Sequence, residues 1–240
     1  MKFENIQAIL FDSADVLNTT ATGNWFLSPR FFSYVDREQY DALSQDKRRA
    51  AFRPAADYLN AQKRIVTLDE ELVHFKRYYE IFFEALPELG VTQEQAHAIA
   101  TDLVYNTDKY AFYEDALRLV PAYRKTRKLA VISDAWPSLR DGYKACGLYD
   151  CFDAFVISSE LGTLKPDPLM YQTALDVLRI PPEQAVFIDD NPANCEGATA
   201  LGIPSLLLCR SKRRYWAYKL ISATKPYRVI DNLDQLQKLL

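Results

Sequence analysis

Histidine and cysteine are scarce in this chain, with two of the first and four of the second in 240 residues. His74 and His97 lie far in sequence from Cys146, Cys151, Cys195 and Cys209, and no two cysteines form a CxxC pair. That spacing disfavours a zinc site and favours reduced thiols, since each cysteine sits in or beside an apolar segment. No apolar run approaches the roughly 18 residues that span a bilayer, and the opening MKFENIQ has no apolar signal-peptide core. The expectation is a cytoplasmic protein with no membrane partner. Repeats and low-complexity tracts are absent. Neither sign of charge prevails: 29 basic against 32 acidic side chains leave a net −3 and a pI near 5.5. Global attraction to nucleic acid is thereby excluded, and any anion site must be local.

What is present builds a core. With 49% hydrophobic and 25% charged residues, the chain is long enough for one large domain or a core with a smaller insertion. From about residue 112 onward, helical patterns such as YEDALRLVPAYRKT and PLMYQTALDVLRI alternate with short apolar runs, KLAVISD, AFVISS, AVFIDD and PSLLLC. Continuous apolar strands signal burial on both faces, as in a parallel sheet covered by helices. Residues 18–110 read differently, as helices rich in aromatics. TLDEELVHFKRYYEIFFEALPELG opens with Thr67 and Glu70 spaced as a capping box and ends near Gly90, TQEQAHAIATDLVYNTDKY repeats the spacing with Thr92 and Gln95, and one earlier helix runs through DREQYDALSQDKRRAAF. The predicted fold is α/β: a doubly wound, Rossmann-like parallel sheet core over 1–17 and 111–240, with an all-α cap domain over 18–110 inserted after the first strand.

Ligands of open α/β sheets bind beyond the carboxyl ends of the strands. Asp12 follows AILF, Ser133 closes LAVIS, Lys165 sits in GTLKPDP, and Asp189 and Asp190 close AVFI. Together they offer a carboxylate nucleophile, a hydroxyl donor, a cation and a pair of acids, an inventory suited to moving a phosphoryl group with magnesium. Each has a plain structural reading as well. A strand-end Asp can cap a turn, Lys165 before Pro166 can be a turn residue, and NPAN can start a helix with Asn191 as N-cap and Pro192 at N1. Four in register outweigh four coincidences.

Their order and context resemble the haloacid dehalogenase superfamily, most of whose members are phosphatases. ILFDSADVL stands for its first motif, LAVISD for the second, LGTLKPDPLMY for the third and VFIDDNPANCEGATALGI for the fourth. The resemblance implies that Asp12 is the nucleophile and carries a phosphoryl group transiently. It implies Mg²⁺ held by Asp12, Asp190 and the backbone carbonyl of Ala14, with Asp189 and Asn194 orienting neighbouring groups. Ser133 and Lys165 would hold the phosphate of a small phosphorylated metabolite.

The family's usual second Asp is Ala14 here. Asp15 stands where the family has Gly; as the only ionisable side chain of the stretch near Asp12 it is read as the catalytic replacement for the missing acid, with capping of the turn or bonding of backbone amides as the alternative. Ala at this position also resembles the phosphonate-cleaving members, which need a cap lysine; Lys47 and Lys63 are available, though Lys47 adjoins Arg48 and Arg49 on what reads as a solvated face. Dehalogenases place an aromatic residue here and need no acidic pair, so Asp189 and Asp190 argue against that chemistry. Besides hydrolysis, a metal- and phosphate-binding regulatory module fits a chain lacking the acid. Trp25, Phe26 and Arg30 lie on a segment that closes over substrate or docks the cap. Arg210, Lys212, Arg213 and Arg214 form either an anion-steering patch or a solvated helix face, and their interleaving with Tyr215 and Trp216 is too short to imply a nucleic-acid partner.

Overall fold

A computed structural model describes residue 3 and residues 5–239. Its strands are β1 (Ala8–Phe11), β2 (Asn18–Thr20), β3 (Tyr110–Phe112), β4 (Lys128–Ser133), β5 (Ala154–Ile157), β6 (Ala185–Asp189), β7 (Ser205–Leu208) and β8 (Arg228–Ile230). Six of them form one sheet in the order β5-β4-β1-β6-β7-β8, and every pairing in it is parallel. β2 and β3 form a separate two-stranded sheet. β1 and β6 are buried at every position, as their unbroken apolar runs require. Chain order runs outward from β1 through β4 to β5 on one side and through β6 and β7 to β8 on the other. The winding therefore reverses between β1 and β6, where a doubly wound sheet opens a crevice at its carboxyl edge.

The helices are α1 (Arg37–Ala42), α2 (Gln45–Asn60), α3 (Leu68–Glu84), α4 (Gln93–Tyr105), α5 (Glu114–Arg124), α6 (Leu139–Ala145), α7 (Ser158–Leu161), α8 (Pro168–Leu178), α9 (Pro192–Ala200), α10 (Lys212–Ile221) and α11 (Asp234–Gln237). Thr67 and Thr92 form the capping boxes at the starts of α3 and α4. The single helix expected across 36–52 is instead two. Ser44 accepts from Lys47 N and begins α2, so α1 stops at Ala42. α3 ends at Glu84 rather than near Gly90, because Pro87 opens a separate 3₁₀ turn that Gly90 closes in the left-handed region at φ 61°.

Two compact units result: Met1–Thr19, Ala111–Ala135 and Tyr143–Leu240 form one, Thr20–Tyr110 and Trp136–Gly142 the other. The second is held by an aromatic core in which Phe75, Tyr78, Tyr79 and Phe82 of α3 are almost wholly buried. Residues 136–142 lay outside the 18–110 segment read from sequence. Trp136 packs edge-on against Phe26 and Phe75, and buried Glu71 accepts from both Ser138 N (2.8 Å) and Ser138 Oγ (2.6 Å). Lys109 Nζ donates to the same Ser138 Oγ at 3.0 Å. Burial raises the Glu71 carboxyl and lowers the Lys109 ammonium to about 8, each opposed by the other's charge.

Candidate active site

β1 delivers Asp12 to the carboxyl edge beside β6, where Asp12 N donates to Ile188 O at 2.8 Å. The turn that follows is fixed from within. Ser13 O accepts from the backbone N of Leu17 and Asn18, Ser13 Oγ accepts from Asn18 Nδ2 at 2.7 Å and meets Tyr143 OH at 2.9 Å, and Val16 and Leu17 are fully buried. Asp15 N donates to Asn18 O while Asn18 N turns to Ser13 O, which leaves the Ala14 carbonyl out of that pairing. Asp15 itself has φ 56°, left-handed backbone that Gly, Asn and Asp tolerate best. This explains why a Gly belongs at that place in the motif. The Asp15 carboxylate is exposed and accepts from Thr19 Oγ1 (3.1 Å) and Tyr113 OH (3.5 Å).

Lys165 lies at the centre. Its ammonium donates to Asp12 Oδ1 at 2.6 Å and Asp189 Oδ2 at 2.8 Å, and its side chain is 1% exposed. Asp134 Oδ1 accepts Lys165 N at 3.0 Å and so fixes the segment from behind β4. Asp189 is saturated by further donors, Asn191 N at 2.7 Å and Asn194 Nδ2 at 3.0 Å, which suits an orienting group. Asn191 does cap α9, accepting from Ala193 N with Pro192 following, so the capping reading of NPAN holds for that residue. Ser133, 2% exposed, ends β4 alongside β1. Oxygens of Asp12, Asp189 and Asp190 come within 4.8 Å of one another.

Two buried carboxylates share one ammonium here. Burial, with repulsion from Asp189, pushes the Asp12 carboxyl above the ordinary range, while Lys165 pulls it back. Burial also works against the charge on Lys165, but Asp12, Asp189 and Asp134 outweigh it and hold the ammonium above its usual value. Asp134 and Asp190 are likewise raised, chiefly by burial. Such a centre has a deficit of positive charge, and three hard oxygen donors fit a magnesium ion.

α9 closes on the segment that carries the lysine. A Cβ at Gly197 would stand 2.5 Å from Pro166 Cβ, closer than atoms can pack. Gly197→Ala is expected to cost about 1–3 kcal/mol by overpacking, and thermal melting, read as a drop of several degrees, checks it.

Two arginines gained roles that residue type alone does not disclose. Arg210 donates to Asp115 through both Nη atoms (3.2 and 2.9 Å) and to Val16 O, with its guanidinium 3.6 Å from the Tyr113 ring centroid. It braces the turn after Asp12 and is not free to steer ligands. Arg214 bonds Asp190, while Lys212 and Arg213 lie exposed on α10. Nothing in the sequence links Arg210 to Asp115, which lies 95 residues away. Lys47 is half exposed and pairs with Glu88, and Lys63 is exposed, so neither is a desolvated amine. Phe26 stacks on Tyr78 and Trp25 meets Tyr110 at a 50° tilt, which gives these aromatics a packing role inside the helical unit. Among the described residues, no helix is long and apolar enough to cross a membrane.

A parallel sheet of this winding, with a lysine-bridged pair of acids at its switch point, defines an α/β fold of the hydrolase type. Residues 6–202 match the haloacid dehalogenase-like hydrolase family, and the chain belongs to it. It is 32% identical over 136 residues to a phosphoserine phosphatase of Thermus thermophilus, covering 55% of each chain, so it spans about half the length of that relative. A glyceraldehyde 3-phosphate phosphatase of Methanopyrus kandleri is 23% identical across 86% of this chain and 85% of its own. Among solved structures, a HAD phosphatase from Thermococcus onnurineus superposes with TM-score 0.64 at 20% identity, covering 98% and 97% of the two chains. The L-2-haloacid dehalogenase from Xanthobacter autotrophicus does so with TM-score 0.61 at 18%, covering 98% of each. At these identities the superpositions speak for the fold.

Proposed function

We propose that this chain is a cytoplasmic, Mg²⁺-dependent phosphohydrolase of a small phosphorylated metabolite, working through a phosphoryl group carried on Asp12. The observation that carries the reading is Asp12 held by Lys165 at the switch point, beside Asp189 and Asp190. The relatives named for phosphoserine and for glyceraldehyde 3-phosphate support a small phosphorylated substrate. Asp12, Asp190 and the free Ala14 carbonyl would hold the ion, which when bound supplies positive charge that favours ionised Asp12 and offsets phosphoryl oxygens. Asp12 then attacks phosphorus as the bond to the leaving oxygen breaks, and water later attacks the acyl phosphate to release inorganic phosphate and the free carboxylate. Lys165 and Ser133 hold phosphoryl oxygens, and Asp189, locked by Asn191 and Asn194, fixes the lysine.

The leaving oxygen needs a proton. Ala14 has none to give, and the Asp15 carboxylate is engaged by the hydroxyls of Thr19 and Tyr113, which favours a role in holding this turn to its neighbours over that of the acid. The chain should therefore hydrolyse aryl phosphates, whose leaving groups need little protonation, much faster than alkyl phosphates, and lose both rates in EDTA. Ala14→Asp is expected to raise the alkyl rate about tenfold or more while moving the aryl rate little. Asp15→Asn should leave the alkyl-to-aryl ratio unchanged; a selective loss of alkyl turnover would instead make Asp15 the acid. Absence of magnesium-dependent aryl turnover in the wild type would favour the regulatory reading.

A further inference from the structure

α10 buries none of its ten residues, yet its third residue reaches into the acidic centre. Arg214 Nη1 donates to Asp190 Oδ2 at 3.1 Å and Nη2 to Asp190 O at 2.8 Å. This contact differs in kind from that of Lys165. The lysine side chain is 1% exposed and caught between two acids, whereas Arg214 is 46% exposed and its partner carboxylate 24%. Three carboxylates meet here and Lys165 neutralises one charge, so Arg214 supplies the second. A guanidinium cannot shed its proton, so it can only leave by moving, and a half-exposed one moves into water at little cost.

We infer that Arg214 is an exchangeable counter-ion of Asp190: it balances that carboxylate when no divalent cation is present and yields it when one enters. This rests on the metal-centre reading of Asp12 and Asp190 above. Guanidinium and dication seek the same carboxylate and repel each other, so the two occupancies must be linked and the linkage is reciprocal. Removing the arginine should cost stability without metal and tighten the metal.

The test is thermal melting of the full chain in EDTA and along a Mg²⁺ titration, for wild type, R214Q, R214K and the exposed neighbour variant R213Q. R214Q is expected to melt about 2–4 °C below wild type in EDTA, and that gap should close in saturating Mg²⁺. Its half-maximal Mg²⁺ concentration should fall about threefold or more. R214K, which keeps the charge but not the fork, should lie between the two, and R213Q should track wild type in both media. The same gap in EDTA and Mg²⁺, or weaker Mg²⁺ binding by R214Q, overturns the inference and makes Arg214 a support for the metal instead. The wild-type curve reports separately on the centre: with no Mg²⁺ response there, the metal reading falls, and the inference falls with it.

Discussion

Asp12→Asn is expected to reduce turnover of an aryl phosphate by about 10⁴-fold or more, to background, while the protein stays folded. An amide oxygen is a poor nucleophile, and no neighbouring side chain can take its place: Asp189 is saturated by three donors, and Asp190 is the carboxylate proposed to hold the metal. The fold should tolerate the change, because the asparagine keeps the size of the aspartate and Lys165 retains Asp189. Steady-state assays on purified protein with matched circular dichroism and melting curves decide the matter. Turnover above background in a folded variant would move the nucleophile elsewhere.

Lys165→Met should be the most damaging single change to stability. It strips the ammonium from two acids whose side chains are 9% and 0% exposed, and breaking a buried pair in this way costs about 3–5 kcal/mol. A loss of about 10 °C in melting temperature follows at neutral pH. The pH dependence has a definite sign. Asp12 already titrates above its ordinary 3.8 when folded, so the native state binds more protons than the unfolded one as pH rises past that value. Stability therefore falls with rising pH across this window, and Glu71, Asp134 and Asp190, all raised, push the same way. Metal-free wild type should lose melting temperature between pH 5 and 8, Lys165→Met should lose more, and Mg²⁺ should flatten both slopes. A rising slope in EDTA would contradict the burial of these acids.

Much of this centre was legible before any coordinates, because apolar runs mark strands and a polar residue that ends a buried strand must face something. Asp12, Ser133 and the Asp189–Asp190 pair were read that way and Lys165 from its place before Pro166, while the parallel, doubly wound sheet followed from the apolar runs. What escaped shares one physical trait: its partner lies far along the chain or its signal is purely conformational. Glu71 meets Ser138 across 67 residues, Arg210 meets Asp115 across 95, and Arg214 reaches Asp190 across 24 from a helix that looked merely solvated. Asp15 was weighed for its charge, although its φ of 56° gives a backbone reason for a residue of that kind. Ser44 looked like one more polar position in a helix and instead began a new one.

The central place of β1 bears on how the molecule assembles. β1, the earliest strand among the described residues, lies between β4 and β6, and 153 residues separate Asp12 from the lysine it binds. A chain that stops short of β6 cannot close that sheet, since β1 then has β4 alone beside it. Until then its fully apolar edge stays open to the wrong partner, so nascent chains stalled before Asp189 should be the aggregation-prone species, and chaperone dependence should end abruptly once β6 emerges.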